Sequence, residues 1–237
     1  MAQPRAAELA YTADLRRVVH AWGEEVDRRI VSRFDDAAPN DFVVFNDITS
    51  RLTRNDLILP FVQDQADRVA SFTSKQLGQS LGISIDVFRA ANDSAAISAF
   101  EAENLDLIKS LSRFYVDRIG DTLGVMRGAR AEDISKAMQR DLGVTESRAD
   151  LIAVDQTLKF YSKLTETRQT QVGVTEYSWM TSHDERVRPA HAALDGTRHS
   201  WNSEPPIVDP RTGRREHPGR DFRCRCQAIA IVPGFSN

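Results

Sequence analysis

The stretch Thr175-Glu176-Tyr177-Ser178-Trp179-Met180-Thr181 decides the fold class of this chain. Its side chains alternate in character and are rich in residues that favour strands, so it predicts a β-strand. The chain before Gly173 has helical spacing instead. The chain after Thr181 is dense in proline and glycine until a second predicted strand at residues 226–232. The sequence therefore predicts an α+β fold, mainly α, in which an N-terminal helical region precedes a small C-terminal helix-plus-strands module.

The helical region is predicted from apolar residues that recur every three or four positions. The pattern is clear near the N-terminus at Leu15, Val19, Trp22 and Val26, and the longest one runs from about residue 94 to 127. Residues 42–45 interrupt it and predict a short extended piece. Gly143 is expected to end a short helix that begins near residue 131, and Thr145 to cap the next helix, which reaches about residue 171. We therefore divide the chain into a helical docking region at 1–144 and a C-terminal module at 145–237.

The overall composition excludes several classes of function. The 237 residues carry a formal net charge of −3, so the whole molecule has no large positive field for nucleic acid. No apolar run is long enough for a membrane span, and no apolar signal segment follows Met1, so we expect a protein made in the cytoplasm without membrane contact. No phosphate-binding loop, dinucleotide fingerprint or serine-hydrolase motif is present in the sequence.

Metal-binding residue types concentrate near the C-terminus. Four of the five histidines and both cysteines lie within residues 183–226. Residues i and i+2 of a strand face the same side, so Cys224 and Cys226 could reach one ion. The most economical ligand set is His191, His217, Cys224 and Cys226, which predicts a structural zinc ion stapling a module poor in apolar side chains. The alternative is two cysteines buried as small apolar side chains, with the histidines scattered on the surface.

Two further hypotheses come from the same region. Asp184 beside a metal could activate water, which would make the protein a metal-dependent nuclease or hydrolase using His191, His217 and Asp184. No HExxH-type spacing supports this catalytic hypothesis. The other hypothesis concerns a basic run that could contact phosphates or an acidic partner, or could be an ordinary solvated loop. That run contains Arg211, Arg214, Arg215 and Arg220.

One stretch near the C-terminus reads WMTSHDERVRPAHAALDG at residues 179–196, and it is followed by His217-Pro218-Gly219 and Cys224-Arg225-Cys226. These segments resemble the core signature and the closing elements of a known family, the phage Mu F-like head-morphogenesis proteins. RADLIA at 148–153 resembles the helix that leads into the module, and NLDLIKS at 104–110 resembles another family segment. The resemblance covers about residues 100–232. Many members carry Cys-x-x-Cys at the positions held here by Arg188 and His191, which leaves this chain one usual metal donor short. His183 or Asp184 could supply the fourth ligand, or hydrogen bonds alone could hold the module.

The resemblance implies a minor head protein without enzymatic activity, located in the virion head of a tailed phage or of a phage-like particle. Its expected partners are the portal protein at the portal vertex, other head proteins and packaged DNA, and its expected roles are head assembly and DNA packaging or delivery. During assembly it would be found in the host cytoplasm.

Overall fold

A computed structural model describes residues 3–29, 41–84, 86–87, 93–126, 129–208 and 213–232. Five long helices come first: α1 (Arg5–Arg29), α2 (Asp41–Leu52), α3 (Asn55–Leu81), α4 (Ser94–Val125) and α5 (Ala131–Gln171). Short elements follow: β1 (Glu176–Met180), α6 (Pro189–Ala192), β2 (Arg198–Ser200), β3 (Ile207–Val208), β4 (Arg215–Glu216) and β5 (Gln227–Ile231). The predicted mainly α, α+β fold is therefore confirmed, as are the strands predicted at 175–181 and 226–232.

Two local predictions were wrong. Residues 42–45 belong to helix α2 and are not extended, because a short run of β-favouring residues is outweighed when the surrounding chain is helical. The predicted break between two helices is also absent: Gly143 ends no helix and Thr145 caps none, since α5 runs through both positions to Gln171. A glycine inside a helix costs only about 1 kcal/mol. The buried residues on either side of it, Met138 and Ala149 among them, offset that cost.

The chain divides into two compact units. The second unit comprises Leu9–Asp64 and Glu101–Ala153. Its core contains the apolar residues of the predicted N-terminal pattern, Leu15, Val19, Trp22 and Val26, all of which are buried. Inside this unit the Tyr11 hydroxyl donates a 2.8 Å hydrogen bond to Asn104 Oδ1. None of the described helices has an apolar stretch long enough to span a bilayer.

The first unit contains the candidate site and comprises Met1–Glu8, Gln65–Phe100 and Val154–Asn237. Its sheet has the order β2-β1-β5, with β1 antiparallel to both neighbours. Tyr177 and Trp179 on β1 are fully buried and pair with Ala230 and Ala228 of β5. The large side chains of β1 thus lie opposite alanines of β5, and together they form the core of the sheet. The alternating sequence of β1 predicts that Tyr177 and Trp179 share a face.

Helix α5 fixes the sheet and its loops within this unit. The Gln169 side chain accepts a 2.9 Å hydrogen bond from the Trp201 indole and donates one of 3.2 Å to the Ala228 carbonyl. Arg168 is buried and paired with Asp93 Oδ2 at 2.5 Å. Removing one partner of such a buried pair is costly, so this contact fixes the end of α5 strongly. Sequence reasoning did not identify either side chain as an anchor.

Candidate metal centre

His191 is brought into the site by the short helix α6. Pro189 begins this helix, where its fixed φ and missing N–H cost nothing, and the His191 N–H donates to the Arg188 carbonyl at 2.9 Å. This turn directs the His191 side chain inward, where only 4% of the residue is exposed.

The two cysteines enter from the segment that leads into β5. Cys224 donates its N–H to the Asp221 carbonyl at 2.9 Å, which closes a turn, and the chain then becomes extended. Both thiols are buried and free of disulfide bonds. Their side chains point to the same side, as the i, i+2 spacing predicts.

Three of the four predicted donors converge. His191 Nδ1 lies 3.4 Å from Cys224 Sγ and 3.6 Å from Cys226 Sγ, and all three donor atoms lie within 4.8 Å of one another. Zinc bonds of about 2.3 Å to sulfur and about 2.0 Å to nitrogen place tetrahedral donors about 3.5 Å apart. The observed separations therefore fit the edges of a tetrahedral zinc site.

The electrostatics of the cluster favour a thiolate at Cys224. The hydrogen bond from Cys226 lowers the pKa of the Cys224 thiol well below its ordinary value, and His191 lowers it further. The same hydrogen bond, together with burial, raises the pKa of Cys226. Burial alone would lower the pKa of His191, but its interaction with Cys224 outweighs burial and raises it. The cluster thus favours a thiolate, which is the form that binds metals.

The surroundings of the cluster resemble the outer shell of known metal sites. His191 Nε2 lies 3.2 Å from Asp221 Oδ2, so the ring can donate to a carboxylate while Nδ1 faces the sulfurs. The buried Trp179 indole N–H has no conventional hydrogen-bond partner among the described residues. It lies near enough to Cys226 to lower the pKa of that thiol. A metal-bound thiolate at Cys226 would accept a hydrogen bond from this N–H and so satisfy it.

Arg188 lies beside this cluster and contacts its outer shell. Its guanidinium bonds to Asp221 Oδ2 and to the Phe222 carbonyl, and Nη1 is 3.4 Å from His191 Nε2. His183 and Asp184, the two alternative fourth ligands, are paired with other residues. His183 Nε2 is 2.9 Å from Asp195 Oδ2, and Asp184 is paired with Arg225 at 2.5 Å. Neither His183 nor Asp184 belongs to the group of converging donors found among the described residues.

His217 is placed differently from the sequence-predicted ligand set. Its Nδ1 and the Tyr177 hydroxyl form a 2.8 Å hydrogen bond, and the centre of its ring lies 5.0 Å from that of Trp201. Burial, followed by the positive charge of Arg220, lowers its pKa to about 4. His217 is not in the converging group. The trio of His191, His217 and Asp184 that a nuclease would need is therefore not assembled.

The predicted basic contact residues differ in their surroundings. Arg211 lies outside the described residues. Arg214 is exposed, Arg215 pairs with Glu204 at 2.8 Å, and Arg220 pairs with Glu166 of α5. Arg220 thus attaches the loop to the helix. The sequence reasoning missed Asp221, whose carboxylate bonds both Arg188 and His191; a single acid within an arginine-rich run gave no signal for this role.

Comparison with known proteins agrees with the resemblance read from the sequence. Residues 120–229 match the family model described as phage Mu protein F like protein. A curated protein of Haemophilus influenzae, described as uncharacterized, is 35% identical over 164 residues, which make up 67% of this chain and 35% of that protein. The chain thus spans about a third of the length of that relative. No solved structure matches the chain. The matched region contains β1, α6, the His191–Cys224–Cys226 cluster and most of β5, and residues 120–229 belong to the phage Mu F-like family.

Proposed function

We propose that this protein is a minor head protein of a tailed phage or phage-like particle, associated with the portal vertex and acting in head assembly and DNA packaging or delivery. The observation that carries the proposal is the family region at 120–229, which is that of phage head-related proteins. Other head proteins, the portal protein and packaged DNA are its proposed partners. In this proposal the helical region at 1–144 docks on the portal or on a neighbouring head protein.

The proposal includes a structural zinc ion held by His191, Cys224 and Cys226. The ion would supply a cross-link between helix α6 and the start of β5, two segments otherwise joined by long loops. Burial of all three donors supports a structural role for the ion. Asp221 would hold the His191 ring in place, and Trp179 would donate to the Cys226 sulfur.

A test of the head-protein proposal uses the particle itself. The gene is deleted, and particle assembly, DNA content and infectivity are measured with and without a complementing copy. A tagged copy then locates the protein by electron microscopy of intact particles. We expect defective particles on deletion and label at one vertex. Unchanged assembly, DNA content and infectivity would refute the proposal, as would a tag found only outside particles.

Metal removal tests the zinc proposal separately. A strong chelator should lower the thermal unfolding midpoint of the wild-type protein, because metal that binds only the folded state stabilises it by mass action. His183→Asn is the matched control, since this exposed histidine lies outside the cluster, and the chelator should lower its midpoint equally. Cys224→Ser should be insensitive to the chelator. An identical wild-type midpoint with and without chelator would exclude a structural metal.

A further inference from the structure

A small half-open pocket of about 30 Å³ adjoins the metal cluster. This volume is enough for about one water-sized group. His191, Cys224 and Cys226 line one part of it. The remaining lining residues are Ser182, Val187 and four arginines: Arg186, Arg188, Arg223 and Arg225. No carboxylate of the described residues lines the pocket, and the side chains of Arg186 and Arg223 are exposed at its rim.

Two of the four arginines are already neutralised and two are not. Arg188 pairs with Asp221, and Arg225 pairs with Asp184. Arg186 and Arg223 are exposed and form no ion pair within the part of the chain that the structure describes. Arg186 acts on Asp184 only as a more distant charge. The exposed Glu185 is the nearest acid along the chain, but it does not line the pocket.

The backbone holds Arg223 at this rim in an unusual conformation. Its φ is 51°, in the left-handed region that non-glycine residues seldom adopt. Its N–H donates a 2.8 Å hydrogen bond to Asp155 Oδ1, which fixes the turn. Such strain persists only where surrounding contacts enforce it, and it is found at sites that bind ligands.

We propose that this pocket binds a phosphate group, with Arg186 and Arg223 as the principal contacts. Guanidinium groups form paired, charge-assisted hydrogen bonds with phosphate oxygens. The phosphate group would sit at the rim of the pocket, against these two exposed arginines. The phosphate could be free inorganic phosphate or part of a DNA backbone. For DNA as the source of the phosphate, the inference rests on the proposed function, because this surface would then face packaged DNA.

The test compares charge-matched variants of the full chain. The rim variant is Arg186→Gln with Arg223→Gln, and the control is Arg113→Gln with Arg140→Gln, two exposed arginines far along the sequence from the pocket. Inorganic phosphate, acetate and a short DNA duplex are titrated by calorimetry into zinc-loaded and metal-free protein. Circular dichroism and zinc content confirm that each variant folds as the wild type does.

We expect phosphate to bind wild type and control alike, and the rim variant at least about tenfold more weakly, as loss of a charge-assisted bond predicts. If DNA is the source, the slope of log affinity against log salt should fall by about 2 in the rim variant, roughly one per lost contact. Phosphate binding without DNA binding would assign the pocket to the free ion. Equal phosphate affinity in rim variant and control would overturn the proposal, as would acetate binding as tightly as phosphate. The position of the protein in the particle is measured in a separate experiment, so the phosphate proposal and the head-protein proposal can fail independently.

Discussion

Gly219 offers the sharpest test of how the loop before Cys224 is held against helix α5. The φ of Gly219 is 83°, which favours glycine. A Cβ at this position would lie 3.0 Å from Ser162 Cβ and 3.2 Å from the Cys226 carbonyl oxygen. The Ser162 hydroxyl also donates a 2.6 Å hydrogen bond to the neighbouring Pro218 carbonyl. Gly219→Ala therefore combines backbone strain with a clash against both α5 and the segment that carries Cys224 and Cys226.

The two costs can be separated with a second glycine. A left-handed alanine costs about 1 to 2 kcal/mol, and overpacking of a close contact adds about 1 to 3 kcal/mol. Gly219→Ala should therefore lower the free energy of unfolding by about 2 to 5 kcal/mol. Gly196 has a similar φ of 75°, but a Cβ added there would meet no packing neighbour within 4 Å. Gly196→Ala should lose only the strain, about 1 to 2 kcal/mol.

The assay is urea unfolding of wild type and both variants, followed by tryptophan fluorescence, since Trp179 and Trp201 are buried in the sheet core. The midpoint should shift without a change in slope, which would indicate a loss of stability alone. An equal loss of stability in the two variants would contradict this expectation, because packing of the 217–219 loop against α5 would then contribute nothing.

Two other variants probe the site. Since the pKa of His217 falls from 6.5 to about 4 on folding, the unfolded chain takes up the proton first. The stability that the neutral His217 ring contributes is fully present above pH 6.5. The free energy of unfolding should fall by about 3 kcal/mol as the pH drops from 7 to 4. His217→Gln, compared with wild type by urea unfolding at several pH values, should lack this component; identical pH profiles would contradict the buried neutral ring. Arg188→Cys should bind zinc about tenfold or more tightly in chelator competition, because it adds a third thiolate as the fourth ligand. Arg198→Cys, at an exposed position of β2, serves as its control, and an equal affinity in both would show that position 188 does not reach the metal.

Most of the fold could be predicted because periodicity reports which face of an element is buried. The period of two at Tyr177 and Trp179 identified the central strand, and the N-terminal helical pattern identified residues that are buried in the structure. Gly143 misled the prediction because local propensity is weak. A single glycine interior to a 41-residue helix is outweighed by the contacts of the rest of that helix. The domain boundary at residue 144 stays a prediction.

The site was only partly predictable because a sequence gives donor types but not where each side chain points. Strand geometry predicts that Cys224 and Cys226 face the same side, and the family signature places His191 among the metal donors. His217 could not be placed, since its partner Tyr177 lies 40 residues away and competes for the ring nitrogen. The same holds for Arg188, whose partner Asp221 lies 33 residues further along the chain. Pairings at such separations depend on the tertiary fold.

The central claim, that the family region carries a structural metal centre, is tested most directly by counting zinc in the purified full-length protein. Inductively coupled plasma mass spectrometry should give one zinc per chain for wild type. It should give close to none for Cys224→Ser with Cys226→Ser, because a lone histidine cannot retain the ion. Less than a tenth of an equivalent in wild-type protein purified without chelator, or equal zinc in both proteins, would contradict the account.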